Sequence, residues 1–239
     1  MLIFWRLLLS HLMADFTFQS NYINAWKRRS LWGMLFHCVM HSGFYVVFTW
    51  NYLDDIWARP PHIQLNGWMC IFLITLFHFM EDEWRVYNVR RYQSQDNTLY
   101  FLWDQIVHYL CIFIFLPIGM SGQSAGWFPE KWPVVLCLII GATHFCGIFV
   151  SFLENDFFGS SLPDFDEQYL AMAERLVLVC CILFPGAWWW LILAAGWVLN
   201  MAYLRRRRIV DFSWFSFYVG GGIAAVCGLL GRIIWYSGG

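Results

Sequence analysis

Apolar stretches, each close to the ~20 residues a helix needs to cross a bilayer, follow one another along almost the whole chain. They are separated by short polar or Gly/Pro-marked segments and predict spans at roughly 2–19, 31–50, 66–83, 98–118, 132–153, 169–185, 187–204 and 213–235. The first and third are short or interrupted by polar residues. The break between the sixth and seventh rests on Pro185-Gly186, a dipeptide that turns two helices back on each other. If it does not turn, the count is seven. The fold class expected is all-α, a polytopic transmembrane helix bundle of about eight spans. It forms a single transmembrane domain over 1–239, with a motif-bearing four-helix half at 1–118 and a supporting four-helix half at 132–235.

Polar residues break the apolar pattern at a helical interval. His11 with Asp15, His37 with His41, His78 with Asp82 and Asp104 with His108 each stand four residues apart, so each pair shares one helix face. Glu174 and Arg175 are adjacent and point about 100° apart on a helix, so each reaches a different neighbour. Arg175 suits a carboxylate or a phosphate. His144 has no partner at four residues and fits a core histidine as well as a ligand. Gln19 and Gln105 are placed to orient carboxylates or water.

Composition sets the environment of these groups. With 60% hydrophobic and 13% charged residues, the apolar runs are too long and too many for a soluble core. A net charge of −1 and the lack of any nucleic-acid motif exclude a nucleic-acid partner. The eight cysteines all fall in apolar segments without Cys-x-x-Cys spacing, which predicts reduced packing residues. The first segment has neither a positive leading region nor a small-residue cleavage site before His11, so it reads as a retained span.

Lys27 to Arg29, Arg85 with Arg90 and Arg91, and Arg205 to Arg208 fall on one side of an eight-span arrangement. By the positive-inside rule that side is cytoplasmic and both termini are extracytoplasmic. The Arg205–Arg208 run reads as a topology anchor on anionic lipid. In this frame the His/Asp pairs, His144, Glu174 and Arg175 all lie at one level in the cytoplasmic half. Arg6 and Arg232 sit near the outer ends, where Arg snorkels.

A charged side chain in hydrocarbon costs about 2.5–3.5 kcal/mol on insertion scales, so such groups face the bundle interior and mark functional sites. One His–Asp pair between helices is ordinarily a structural clasp; four at one depth point to a metal or catalytic centre. His11, Asp15, His37, His41, His78, Asp82, Asp104 and His108 form an N/O donor set suited to Zn first, and to Fe or Mn. Eight candidates exceed the about four ligands of one zinc, so two ions bind or some carboxylates orient imidazoles. Catalytic roles fall to Asp82 or Asp104 as general base and to Glu174 and Arg175.

Taken in order, His11-x-x-x-Asp15-Phe16-x-x-Gln19, His37-x-x-x-His41, His78-x-x-x-Asp82, Asp104-Gln105-x-x-His108 and the later Glu174-Arg175 resemble a bacterial integral-membrane family known only as a domain of unknown function. The likeness covers about residues 7–110 well and the rest thinly. It implies a shared fold, a shared site and a bacterial inner-membrane location, but no activity. The family pattern carries Lys three residues after the Asp of the third motif. Arg85 stands there instead, so no neutral amine is implied at that position. In motif style the chain is more distantly similar to membrane-bound metal-dependent hydrolases.

Three functional classes follow. The leading one is an intramembrane metal-dependent hydrolase acting on a lipid or lipid-linked substrate at the cytoplasmic leaflet, alone, as a homo-oligomer or within a larger membrane complex. The alternatives are a proton- or metal-translocating transporter, and a structural subunit in which His–Asp pairs clasp helices. The nearly apolar outer halves of the spans argue against a through-path. Bis-His haem needs single histidines on opposed helices, which four-apart pairs fit poorly.

Overall fold

The computed structural model describes residues 2–59, 63–93, 97–117, 131–159, 165–208 and 213–236. It is all-α apart from one small two-stranded sheet. His62, Trp127 and Glu130 lie outside the described residues. The chain divides into two compact units, Met1–Val134 and Val135–Gly239.

The first unit opens with α1 (Leu2–Leu12), which runs into a π-helical turn, Met13–Thr17. Then come a short helix α2 (Asn21–Arg29), the long α3 (Leu31–Thr49), α4 (Gly67–Tyr92) and α5 (Thr98–Ile114). The sequence punctuates these starts with residues whose side chains accept otherwise orphaned backbone N–H groups. Ser20 caps α2, Ser30 caps α3, Asn66 caps α4 and Asn97 caps α5. Between α3 and α4, β1 (Ile56–Ala58) pairs antiparallel with β2 (Leu65–Asn66) and tucks Trp57 into the core.

The fold corrects two readings of basic loops. Lys27 to Arg29 belong to α2, which folds back onto the start of α3. The two backbones approach so closely at Gly33 that a Cβ there would stand 2.5 Å from the Trp26 carbonyl group. Arg85, Arg90 and Arg91 lie on α4, which continues about nine residues past the expected boundary and ends at Gln93 in the left-handed region, φ 49°.

Each of the four long helices buries one stripe. On one half it is apolar: Ile3 and Leu7 of α1, Tyr45 of α3, Ile71 and Ile74 of α4, and Ile112 of α5 share one core cluster. A turn or two along, the same stripes turn polar at His11, His37, His41, His78, Asp82, Asp104 and His108, all buried. The outward faces instead carry exposed Phe72, Phe77, Trp84, Leu99, Trp103 and Phe113. A polar interior under an apolar surface inverts the soluble pattern and suits lipid as the solvent.

The second unit contains α6 (Lys131–Ile140, entering from the end of the first unit), a π-helical turn Gly141–Phe145, α7 (Cys146–Phe158), α8 (Phe165–Leu183), α9 (Trp189–Arg206) and α10 (Trp214–Tyr236). Its core joins Ala142, Leu178, Val179, Ile182 and Ala224. Among the described residues, three helical stretches are long and apolar enough to cross a membrane: Leu31–Tyr52, Lys131–Phe158 and Trp214–Tyr236. α1, with 11 residues and a 5-residue π turn, and α5, with 17, are too short, and the apolar part of α4 runs into Glu81, Asp82 and Glu83. None of the eight cysteines, all of which lie among the described residues, forms a disulfide.

Candidate metal centre

Asp15 is the hub of the first unit. The π turn that carries it widens the helix by one residue, a device common at functional sites, and buries the carboxylate among three helices. Its Oδ1 lies 3.2 Å from His37 Nε2 and 3.1 Å from His41 Nε2, and its Oδ2 lies 3.2 Å from His11 Nε2. His78 Nε2 from α4 is 3.2 Å from His37 Nε2. Asp15, His37, His41 and His78 thus bring one ligand atom each to within 4.8 Å of one another, all from buried side chains. A tetrahedron of Zn–N bonds of about 2.0–2.1 Å has edges of ~3.3 Å. Three of the six separations among these donors, at 3.1–3.2 Å, are edges of about that size, and the others lie within 4.8 Å.

The rings are packed edge and face around this point, with His41 and His78 centroids 4.0 Å apart and His78 and His108 4.2 Å apart. The outer nitrogens Nδ1 of His11, His37, His41 and His78 find no hydrogen-bond partner among the described residues. These four rings therefore make their polar contacts through the inner nitrogens.

A second group adjoins the first. Glu81, Asp82, Asp104 and His108 also bring ligand atoms within 4.8 Å, but cations already engage its carboxylates. Arg85 Nη1 lies 2.9 Å from Asp104 Oδ2, and Gln105 Nε2 donates to the same oxygen at 3.2 Å. His108 Nδ1 lies 2.8 Å from the carbonyl of Asp104, and its Nε2 3.5 Å from Glu81. Asp82 lies 3.3 Å from His78 Nε2 and 3.4 Å from His37 Nε2, and accepts from Lys27 Nζ at 3.1 and 3.2 Å.

Lys27 is the residue that sequence reasoning placed in a cytoplasmic loop and the structure places in the centre. It is 11% exposed, and its Nζ is also 3.3 Å from His37 Nε2. Burial alone lowers its pKa, but the Asp82 carboxylate, with Asp15 and Asp104 beyond it, holds it above the ordinary lysine value, so it is charged at neutral pH. Nothing in its spacing signals this, because α2 reaches the centre by folding back. Glu81 was legible, standing three residues after His78 and hence on the same face. Gln105 bridges Asp104 and Asp15, as an orienting amide does. Gln19 reaches only the Asp15 backbone carbonyl.

Glu174 and Arg175 belong to the second unit and make their contacts there. Arg205 grips Glu174 through both terminal nitrogens at 2.9 and 2.6 Å, so it is a buried partner and not a lipid anchor. Arg175 donates to Ser216 at 3.0 Å. Arg6 is likewise buried, donating to the Phe48 carbonyl, and Arg232 donates to the carbonyls of Ile182, Phe184 and Gly186 at the end of α8. His144 Nδ1 meets Thr143 Oγ1 at 3.0 Å.

These features define an all-helical protein with the marks of a membrane protein and a buried His/Asp centre in its first half. The chain belongs to the family described as Protein of unknown function (DUF3307), which matches residues 3–135, almost the whole of the first unit. No curated protein and no solved structure matches the chain.

Proposed function

We propose that this is an integral membrane protein of about eight spans, in a bacterial inner membrane, whose first unit binds one divalent transition ion, zinc first among them. The centre would lie toward the cytoplasmic leaflet and hydrolyse a lipid or lipid-linked substrate. The observation that carries this reading is the convergence of four buried donors, Asp15, His37, His41 and His78, within 4.8 Å of one another, three of the pairs at 3.1–3.2 Å. Three imidazoles and one carboxylate are a donor set that zinc takes, and iron and manganese accept.

With four protein donors a tetrahedral ion has no place for water, so hydrolysis would require a fifth coordination position, at which such an ion would supply a water of near-neutral pKa and a positive charge beside the bond to be broken. We assign the general base to Asp82 over Asp104 because it borders the four donors; both carboxylates are engaged by a cation, Asp104 by Arg85 and Asp82 by Lys27. Lys27, at the same carboxylate, stabilises negative charge that develops on the substrate. A cleft of about 50 Å³ lined by Lys27, Asp82, Arg85 and Arg90 reaches the centre, with room for a few waters. On the far side Gln105 links Asp104 to Asp15, and the Asp104 backbone carbonyl holds His108.

Hydrolysis in ¹⁸O-water tests the reading without a known substrate. Metal-loaded protein incubated with a bacterial lipid extract is expected to yield ¹⁸O-labelled products, which Asp82→Asn and His37→Ala abolish. An unlabelled extract, together with proton or metal flux in proteoliposomes, would replace hydrolysis with translocation.

A further inference from the structure

Arg175 is the unsettled charge of the second unit. It is 3% exposed, its Nη2 donates to Ser216 Oγ, and its Nη1 has no hydrogen-bond partner among the described residues. No carboxylate among those residues pairs with it, since the neighbouring Glu174 is taken by Arg205. The fold makes room for it. A Cβ at Gly220 of α10 would collide with the guanidinium, and one at Gly147 of α7 would stand 3.5 Å from Nη1. A buried cation with one neutral partner calls for an anion.

Two cavities meet at this side chain. One, of about 80 Å³, has a mixed lining that includes Arg175, Ser151, Glu154, Glu167, Gln168 and Ser216. Glu154 Oε1 is buried there without a hydrogen-bond partner among the described residues. The other is an apolar groove of about 650 Å³ between α8, α9 and α10, reaching from Arg175 past Leu178, Trp197 and Gly221 to Leu229. Its volume falls in the ~300–1,000 Å³ range of sites that bury a whole small ligand.

We propose that the second unit binds one phospholipid with a primary amine in its head group. The phosphate sits on Arg175 and Ser216, the ammonium on Glu154 with Glu167 beside it, and an acyl chain lies in the groove. The shared position of an orphaned cation and an orphaned carboxylate oxygen selects a zwitterion. A primary ammonium donates hydrogen bonds to Glu154, which a quaternary choline head cannot, and a glycerol head brings no positive charge. This site is independent of the metal centre.

Native mass spectrometry of delipidated full-length protein, offered equal amounts of dioleoyl phosphatidylethanolamine, phosphatidylcholine and phosphatidylglycerol in detergent micelles, tests it. One ethanolamine lipid per chain is expected, in preference to both others. Gly221→Leu puts a side chain into the groove at a position where a Cβ meets no atom within 4 Å, and is expected to lower uptake at least tenfold with helix content by circular dichroism unchanged. Glu154→Gln is expected to reduce ethanolamine lipid to the level of choline lipid, a loss of roughly tenfold for one charged hydrogen bond. Equal uptake of the three lipids, no uptake, or unchanged uptake by both variants would overturn the proposal. Metal content measured on the same samples is expected to stay constant, which separates this site from the first unit.

Discussion

In the first unit, carboxylates and imidazoles from four helices aim their ligand atoms at a shared point, and single oxygens serve several neighbours at once. Asp15 Oδ1 alone faces His37 and His41. In the second unit charges are settled one by one: half-buried Glu174 by buried Arg205, and half-buried Arg232 by three backbone carbonyls. Both arrangements satisfy the rule that polar groups in an apolar medium must find partners. They differ in what is left over. Pairwise settlement leaves nothing for a ligand to do and marks a structural joint, with Arg175 as the exception. Convergence of more lone pairs than the available protons can satisfy leaves a site for a cation.

The largest effect that would sharpen this contrast is on metal retention. His41→Ala removes one of four donors and is expected to weaken binding by more than the ~10–100-fold seen when only an outer partner of a ligand is lost. Glu174→Gln is expected to leave metal affinity unchanged. Equilibrium dialysis against a chelator series reads both.

Next comes Lys27→Met, which strands Asp82 beside the imidazoles and is expected to cost about 3–5 kcal/mol. Pairing it with Asp82→Asn is expected to recover much of that loss in a double-mutant cycle. If the two losses simply add, the pair is not a unit. Glu174→Gln should destabilise the second unit by about 3 kcal/mol, read as a lowered thermal midpoint, because Arg205 is left buried without its carboxylate. A surface-like loss well under 1 kcal/mol would show that joint to be solvent-screened.

The smallest change is Gly33→Ala. The added methyl pushes against the Trp26 carbonyl and lifts α2, with Lys27 on it, from α3, at a cost of about 1–3 kcal/mol. A stability loss without any change at the centre would mean that α2 is not what delivers Lys27.

The spacing of the polar residues carried much of this arrangement. Helical periodicity put Asp82 beneath His78 and His108 beneath Asp104, and the common depth of the pairs follows from chain direction once helices alternate. What spacing does not encode is a segment that turns back. Lys27 looked like a positive-inside residue because α2 is short and polar, and only the Gly33 approach brings it onto Asp82. Arg205 was hidden in the same way inside a run of four arginines, where one side chain turns inward to Glu174 and its neighbours stay exposed. The hairpin at Ile56–Asn66 and the π turn at Asp15 carry no periodic signal, since each departs from the regular repeat that a pattern detects.

The measurement that bears most directly on the centre is elemental analysis of the purified protein after reconstitution with zinc, iron or manganese, beside His37→Ala and Asp104→Ala at matched folding quality. The account predicts one ion per wild-type chain, none in His37→Ala, and about one in Asp104→Ala, whose carboxylate is already held by Arg85. Wild-type protein that stays metal-free with all three metals would contradict it and turn the four pairs into interhelical clasps or a proton relay.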